Sequence, residues 1–137
     1  MKEKIVTQWQ NGMSFETIID GTLITMDASP AAGGQGKGPR PKPLMLAALA
    51  GCTGIDVVSI LAKMKIELEY FRIHVESDVN EEHPKSYKNI MLIYEGKGKD
   101  LTEEKFRKAI DLSLDKYCSV SAVYKKAIPV NYKIIID

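Results

Sequence analysis

The chain has 137 residues, and nineteen Lys and Arg stand against eighteen Asp and Glu for a formal charge of +1. That length suits one domain, 1–137, with a modest core, and a 45% hydrophobic content excludes disorder of the whole chain. The charge balance leaves no basic surplus for nucleic acid and no polybasic tract for a membrane surface.

Met1-Lys2-Glu3-Lys4-Ile5 lacks the apolar run of a secretory signal, and two cysteines in such a chain suit a reducing compartment. A cytoplasmic location is expected. The first third reads as a β-meander. Ile5, Thr7 and Trp9 alternate with Val6, Gln8 and Gln10, and Asn11-Gly12 then supplies a strong hairpin signal. Phe15, Thr17 and Ile19 alternate next, and Asp20-Gly21 repeats the device before Leu23 to Met26.

Ser29 to Pro43 is rich in Gly and Pro, with Lys37, Arg40 and Lys42 interleaved. Its length without regular structure predicts a mobile lid or a substrate-facing loop. The Gly-Lys-Gly within it lacks the spacing of a phosphate-binding loop. Pro43 suits a first helical turn, and the helix it opens is expected to run to about Lys65. Leu44 to Ala62 is long enough to span a bilayer, but it carries Asp56, whose insertion at a helix centre costs about 2.5–3.5 kcal/mol. A buried soluble helix is the better expectation. Its apolar residues point in every direction, so it must be enclosed on all sides. An intertwined homodimer encloses it more naturally than a monomer of this size.

Two strands follow, around Phe71, Ile73 and Val75 and around Ile90, Leu92 and Tyr94, joined through Glu81-Glu82-His83-Pro84. Thr102 is a good N-cap, Glu103 and Glu104 complement the helix dipole, and Leu101 and Phe106 hold the two staple positions. Phe106, Ala109, Ile110, Leu114 and Tyr117 form the apolar stripe of that helix. Cys118 to Lys126 predicts a short further helix, and Ile128 to Ile136 a final strand. The order of strands and helices argues α+β.

The chemistry on offer is that of the thiols Cys52 and Cys118. A thiol attacks as its thiolate, so the question is what lowers each pKa. Cys118 starts a helix, where free N–H groups favour negative charge, and on that ground it is the easier of the two to ionise. Cys52 lies deep in its helix, where burial raises its pKa and Asp56, one turn on, raises it again. A cation would have to reach it, and Lys37, Arg40 and Lys42 are the nearest in sequence. Packing as small hydrophobes is the competing reading of both cysteines, as helix packing is for Asp56. Only His74 and His83 exist; His74 reads as solvated on a strand, His83 as a turn residue, and no zinc spacing is present. Hydrolase, nucleotide and metal signatures are absent, and no cofactor is expected.

Pro43 to Leu61, with Ala50-Gly51-Cys52-Thr53-Gly54-Ile55-Asp56 at its centre, strongly resembles the first cysteine helix of the OsmC/Ohr family. Tyr117-Cys118-Ser119-Val120-Ser121 resembles the second cysteine motif, and Glu82-His83-Pro84-Lys85 the connecting turn of the branch labelled YhfA-like. The resemblance implies an α+β, OsmC-like fold. In it a three-stranded N-terminal meander, a long central helix, further strands and two C-terminal helices assemble as an interwoven homodimer. It implies reduction of organic hydroperoxides or hydrogen peroxide, with Cys52 forming a sulfenic acid and Cys118 resolving it to a disulfide. A dithiol such as a lipoyl protein or a thioredoxin-like partner would restore the pair. Peroxidase branches of the family keep an arginine in the N-terminal strands and a glutamate ten residues before the first Cys. Here residues 1–39 hold no arginine and the glutamate's place is Lys42, so Arg40 or Lys42 is the expected replacement. A redox sensor or small-ligand binder without efficient turnover is the alternative function.

Overall fold

A computed structural model describes all of residues 1–137, which divide into two compact units, Met1–Leu46 and Ala47–Asp137. In the first unit β1 (Thr7–Asn11), β2 (Ser14–Ile19) and β3 (Thr22–Met26) form an antiparallel sheet in chain order. Both hairpins fall where the sequence places them. Asp20 (φ 49°) and Gly21 (φ 79°) are both left-handed, as a two-residue turn matched to the strand twist requires. At the other turn Asn11 Oδ1 accepts from the Gly12 N–H at 2.9 Å.

This sheet has no apolar core of its own. Its unit buries only Ser14, Thr17 and Asp27, while Trp9, Phe15, Ile18 and Leu23 are exposed. The segment after β3 is not irregular throughout: Pro30–Ala32 forms a 3-10 turn. Asp27 organises the rest. Its carboxylate accepts the backbone N–H groups of Ala28 (2.8 Å), Gln35 (2.9 Å) and Lys37 (3.2 Å), and its own N–H donates to the Pro39 carbonyl at 3.0 Å. These contacts, the Gln35 N–H foremost, hold the buried Asp27 carboxyl below its ordinary pKa.

Helix α1 (Pro41–Lys63) starts two residues earlier than the sequence suggests, so that Pro41 and Pro43 both occupy the first turn, where a missing N–H costs nothing. It is long and apolar enough, by length and composition, to cross a membrane. In the second unit it buries one stripe, Leu49, Thr53, Val57 and Leu61, spaced four residues apart, while Ile55 is 74% and Val58 48% exposed. The enclosure expected from the all-round apolar pattern is therefore incomplete within one protomer. Gly54 lets the helix approach the second sheet: a Cβ there would lie 3.2 Å from Ile73 Cδ1.

That sheet has the order β4 (Tyr70–Glu76), β5 (Ile90–Lys97), β6 (Val130–Ile136), with β4 antiparallel and β6 parallel to β5. A parallel neighbour needs a long crossover. It consists of α2 (Glu103–Leu112), a π-helical turn (Ser113–Tyr117) and α3 (Ser119–Tyr124). The Thr102 side chain caps α2 by accepting from the Lys105 N–H at 3.2 Å, and the staple residues Leu101 and Phe106 are both buried. Ile90, Leu92, Tyr94 and Gly96 face the core, where Phe106 meets Phe71 edge-on at 5.7 Å and Tyr94 at 6.4 Å. His83, before a cis Pro84, is exposed in the β4–β5 connection as expected.

One expectation for the α2 stripe is corrected. Ser113 and Leu114 are buried, but Tyr117 is 54% exposed. The wider π turn advances the chain by one residue relative to a 3.6-residue helix and swings Tyr117 outward.

Candidate thiol site

The structure brings Cys52, Asp56 and Cys118 together in the second unit. Cys52 is half-buried in α1, and Cys118 is 3% exposed as the N-cap of α3; both are free thiols. Arg40, exposed, precedes α1, and Lys42 lies in its first turn, both within the first unit. Lys37, the third cation named from sequence, is tied through its backbone to Asp27.

Cys118 is placed by the turn that precedes it. Its N–H donates to the Ser113 carbonyl at 2.7 Å, closing the π turn, and its Sγ accepts the Ser121 N–H at 3.4 Å. The Ser121 hydroxyl returns a bond to the Cys118 carbonyl at 3.1 Å. A nearby amine completes the turn: Lys125 Nζ donates to the Leu114 carbonyl at 2.5 Å.

The order of thiol acidity is the reverse of the sequence expectation. Burial pushes the Cys52 thiol up, but three donors outweigh it: the Val120 backbone N–H, the Cys118 thiol and the Ser119 hydroxyl, 3.9 Å away. Asp56 opposes them weakly, and the net result lies below the ordinary 9.0. Cys118 moves the other way. Burial raises it, the Ser121 contacts lower it, and its role as donor to Cys52 holds it protonated, so it lies above 9.0. The physical reason is that the open N–H groups of α3 serve a sulfur on another helix as well as their own cap. Sequence reasoning assigned each thiol to its own helix and so missed Ser119 and Val120.

It also missed a chain of buried hydroxyls behind Cys52. Thr53 Oγ1 lies 2.8 Å from Tyr94 Oη and 2.7 Å from Ser113 Oγ, and the Ser113 hydroxyl donates to Asp56 Oδ2 at 2.9 Å. Thr53 carried one signal, a polar residue in register with the apolar stripe of α1. His74 is not solvated alone: its Nε2 lies 2.8 Å from Glu95 Oε1, which also meets Arg72 Nε at 3.3 Å. No group of side chains forms a metal site. The arrangement as it stands pairs one ionisable thiol with one protonated thiol in direct contact.

Comparison with known proteins gives the same outline. Residues 34–133 match the sequence profile of the family described as OsmC-like protein. Protein YhfA of Escherichia coli K12 is 35% identical over 126 residues, 91% of each chain. The crystal structure of an OsmC-like protein from Mycoplasma pneumoniae shares the fold with a TM-score of 0.84 at 19% identity, covering 99% of this chain and 97% of that one. The organic hydroperoxide resistance protein OhrB of Bacillus subtilis follows with a TM-score of 0.62 at 22% identity, over 100% and 98% of the two chains. On this evidence of sequence and fold, the chain belongs to the OsmC-like protein family.

Proposed function

We propose that this protein is a cytoplasmic thiol-dependent peroxidase that reduces organic hydroperoxides or hydrogen peroxide. The observation that carries the proposal is the pair itself: a Cys52 thiol held below its ordinary pKa against a Cys118 thiol held above it. The Cys52 thiolate attacks the terminal peroxide oxygen. The O–O bond breaks, the alcohol leaves after taking up a proton, and Cys52 becomes a sulfenic acid. Cys118 then condenses with it, releasing water and forming a disulfide, which a dithiol of the lipoyl or thioredoxin-like class reduces. Support comes from the neighbour named for organic hydroperoxide resistance.

The working unit in this proposal is a homodimer of single-domain chains. The exposed Ile55 and Val58 of α1, and the first sheet without an apolar core, are the surfaces that a second copy would cover. Arg40, or Lys42 in the place of the family's glutamate, is proposed to stabilise the thiolate. Asp56 is assigned to the hydroxyl chain, which it anchors.

The test is peroxide consumption by the reduced protein. One equivalent of cumene hydroperoxide is expected to yield one Cys52–Cys118 disulfide, and Cys52→Ser to abolish turnover; full turnover by Cys52→Ser ends the proposal. A second reading, a sensor or binder of a small apolar ligand, rests on a groove of about 660 Å³ lined by Gly51, Gly54, Ile55, Val58, Phe71 and Ile73. Steady turnover with a dithiol would set it aside.

A further inference from the structure

The buried hydroxyls have a fixed direction. Each hydroxyl owns one proton. Ser113 spends its proton on the Asp56 carboxylate, so it must accept from Thr53, and Thr53 must accept from Tyr94. Burial, first of all, raises the Tyr94 phenol above its ordinary 10.0 and keeps it a donor. Tyr94, Thr53 and Ser113 are wholly buried, and no buried side-chain nitrogen or oxygen lacks a partner. Such a file is costly to break at any link, because a broken link strands a polar atom without water.

Its two middle members flank the sulfurs. Thr53 follows Cys52 along α1, and Ser113 receives the Cys118 N–H on its carbonyl at 2.7 Å. We propose that Ser113 is a positioning residue for the thiol pair: its hydroxyl is locked to α1 beside Cys52 while its carbonyl holds the backbone of Cys118. One residue thereby ties both sulfur-bearing segments into a single geometry. The π turn supplies the means, since it carries the Ser113 hydroxyl inward and returns the chain to the Ser113 carbonyl five residues later.

The inference rests on the reading that the two thiols join, and its test leaves peroxide out. Oxidised glutathione accepts the two electrons: protein dithiol plus oxidised glutathione gives protein disulfide plus two glutathione thiols. The equilibrium in glutathione buffers reports the effective concentration of one thiol at the other. Ser113→Ala and Thr53→Val are each expected to lower it about tenfold, the size of one coupled buried hydrogen bond. Ser113→Thr, which keeps the hydroxyl, restores it. The alkylation midpoint of Cys52 stays below 9.0 in all three, because the Val120 N–H and Ser119 hydroxyl remain. A loosened fold would instead move that midpoint upward with the effective concentration. Should Ser113→Ala fail to fold, Thr53→Val and Ser113→Thr carry the comparison. An unchanged effective concentration in Thr53→Val, or an equal loss in Ser113→Thr, overturns the assignment. Retained peroxide turnover in Cys52→Ser would sink the peroxidase reading and leave this equilibrium untouched.

Discussion

The two sheets use the same raw material to different ends. β1–β3 carries Trp9, Phe15, Ile18 and Leu23, and all four stay exposed; β4–β6 carries Ile90, Leu92 and Tyr94, and all three are fully or almost fully buried. Alternation alone does not make a core. The second sheet acquires one because its parallel strand β6 can be reached only through α2 and α3, which bring Phe106, Ala109 and Ile110 onto it. The first sheet is joined by two tight hairpins and receives no crossover helix of its own. What it teaches is that the stability of the first unit has to be sought in something that covers its apolar residues.

The largest expected effect therefore lies in the second unit. Phe106 is fully buried among Phe71, Tyr94 and Leu101, beside a Gly96 whose added Cβ would lie 3.3 Å from the ring. Phe106→Ala should cost about 3–5 kcal/mol in urea unfolding at fixed protein concentration, through lost transfer energy and the cavity left behind. A cost below about 1 kcal/mol would mean that the core collapses around the gap and that the contrast between the sheets is overdrawn.

A smaller effect, of another kind, tests the covering itself. Ile55→Asp places a charge on the most exposed large side chain of α1 in the second unit. If the proposed second copy sits there, self-association should weaken about a hundredfold or more, read by sedimentation at micromolar concentrations. Unfolding midpoints should also stop rising with protein concentration, as they do for a dimer. Unaltered sedimentation of Ile55→Asp would move the interface elsewhere.

The division between what could and could not be read from the chain follows the same physics. The hairpins at Asn11-Gly12 and Asp20-Gly21, the Thr102 cap and the Leu101–Phe106 staple are local, and neighbouring residues determine them. The π turn was hidden because one added residue leaves the apolar composition unchanged while shifting its phase, exchanging Tyr117 for Ser113 at the core. The thiols were legible as a pair through their family motifs, but not their order of acidity. That order depends on Val120 and Ser119 reaching Cys52 across a long loop in sequence, a contact no local pattern encodes. The segment after β3 was read by its Gly and Pro content as a loop, yet its organiser is a single carboxylate just ahead of it.

That carboxylate gives the most local prediction, and it sharpens the contrast from the side of the first unit. Where apolar packing is missing, Asp27 supplies order by collecting three backbone N–H groups, and its carboxyl is held below the ordinary 3.8. A group depressed in the folded state contributes stability that is fully present above its unfolded pKa and lost as pH falls through the folded value. Amide exchange at Gln35 and Lys37 should thus be protected at neutral pH and lose protection in acid, below the ordinary carboxylate range. Asp27→Asn removes the charge and one acceptor oxygen, because an amide cannot accept at both positions. Exchange at these two amides should then be faster at neutral pH and nearly flat with pH once the intrinsic dependence is removed, while the amides of β5 stay unaffected. Equal loss of protection in β5 would show that the loop and the second core unfold together, and the two regions would then have to be treated as one cooperative structure.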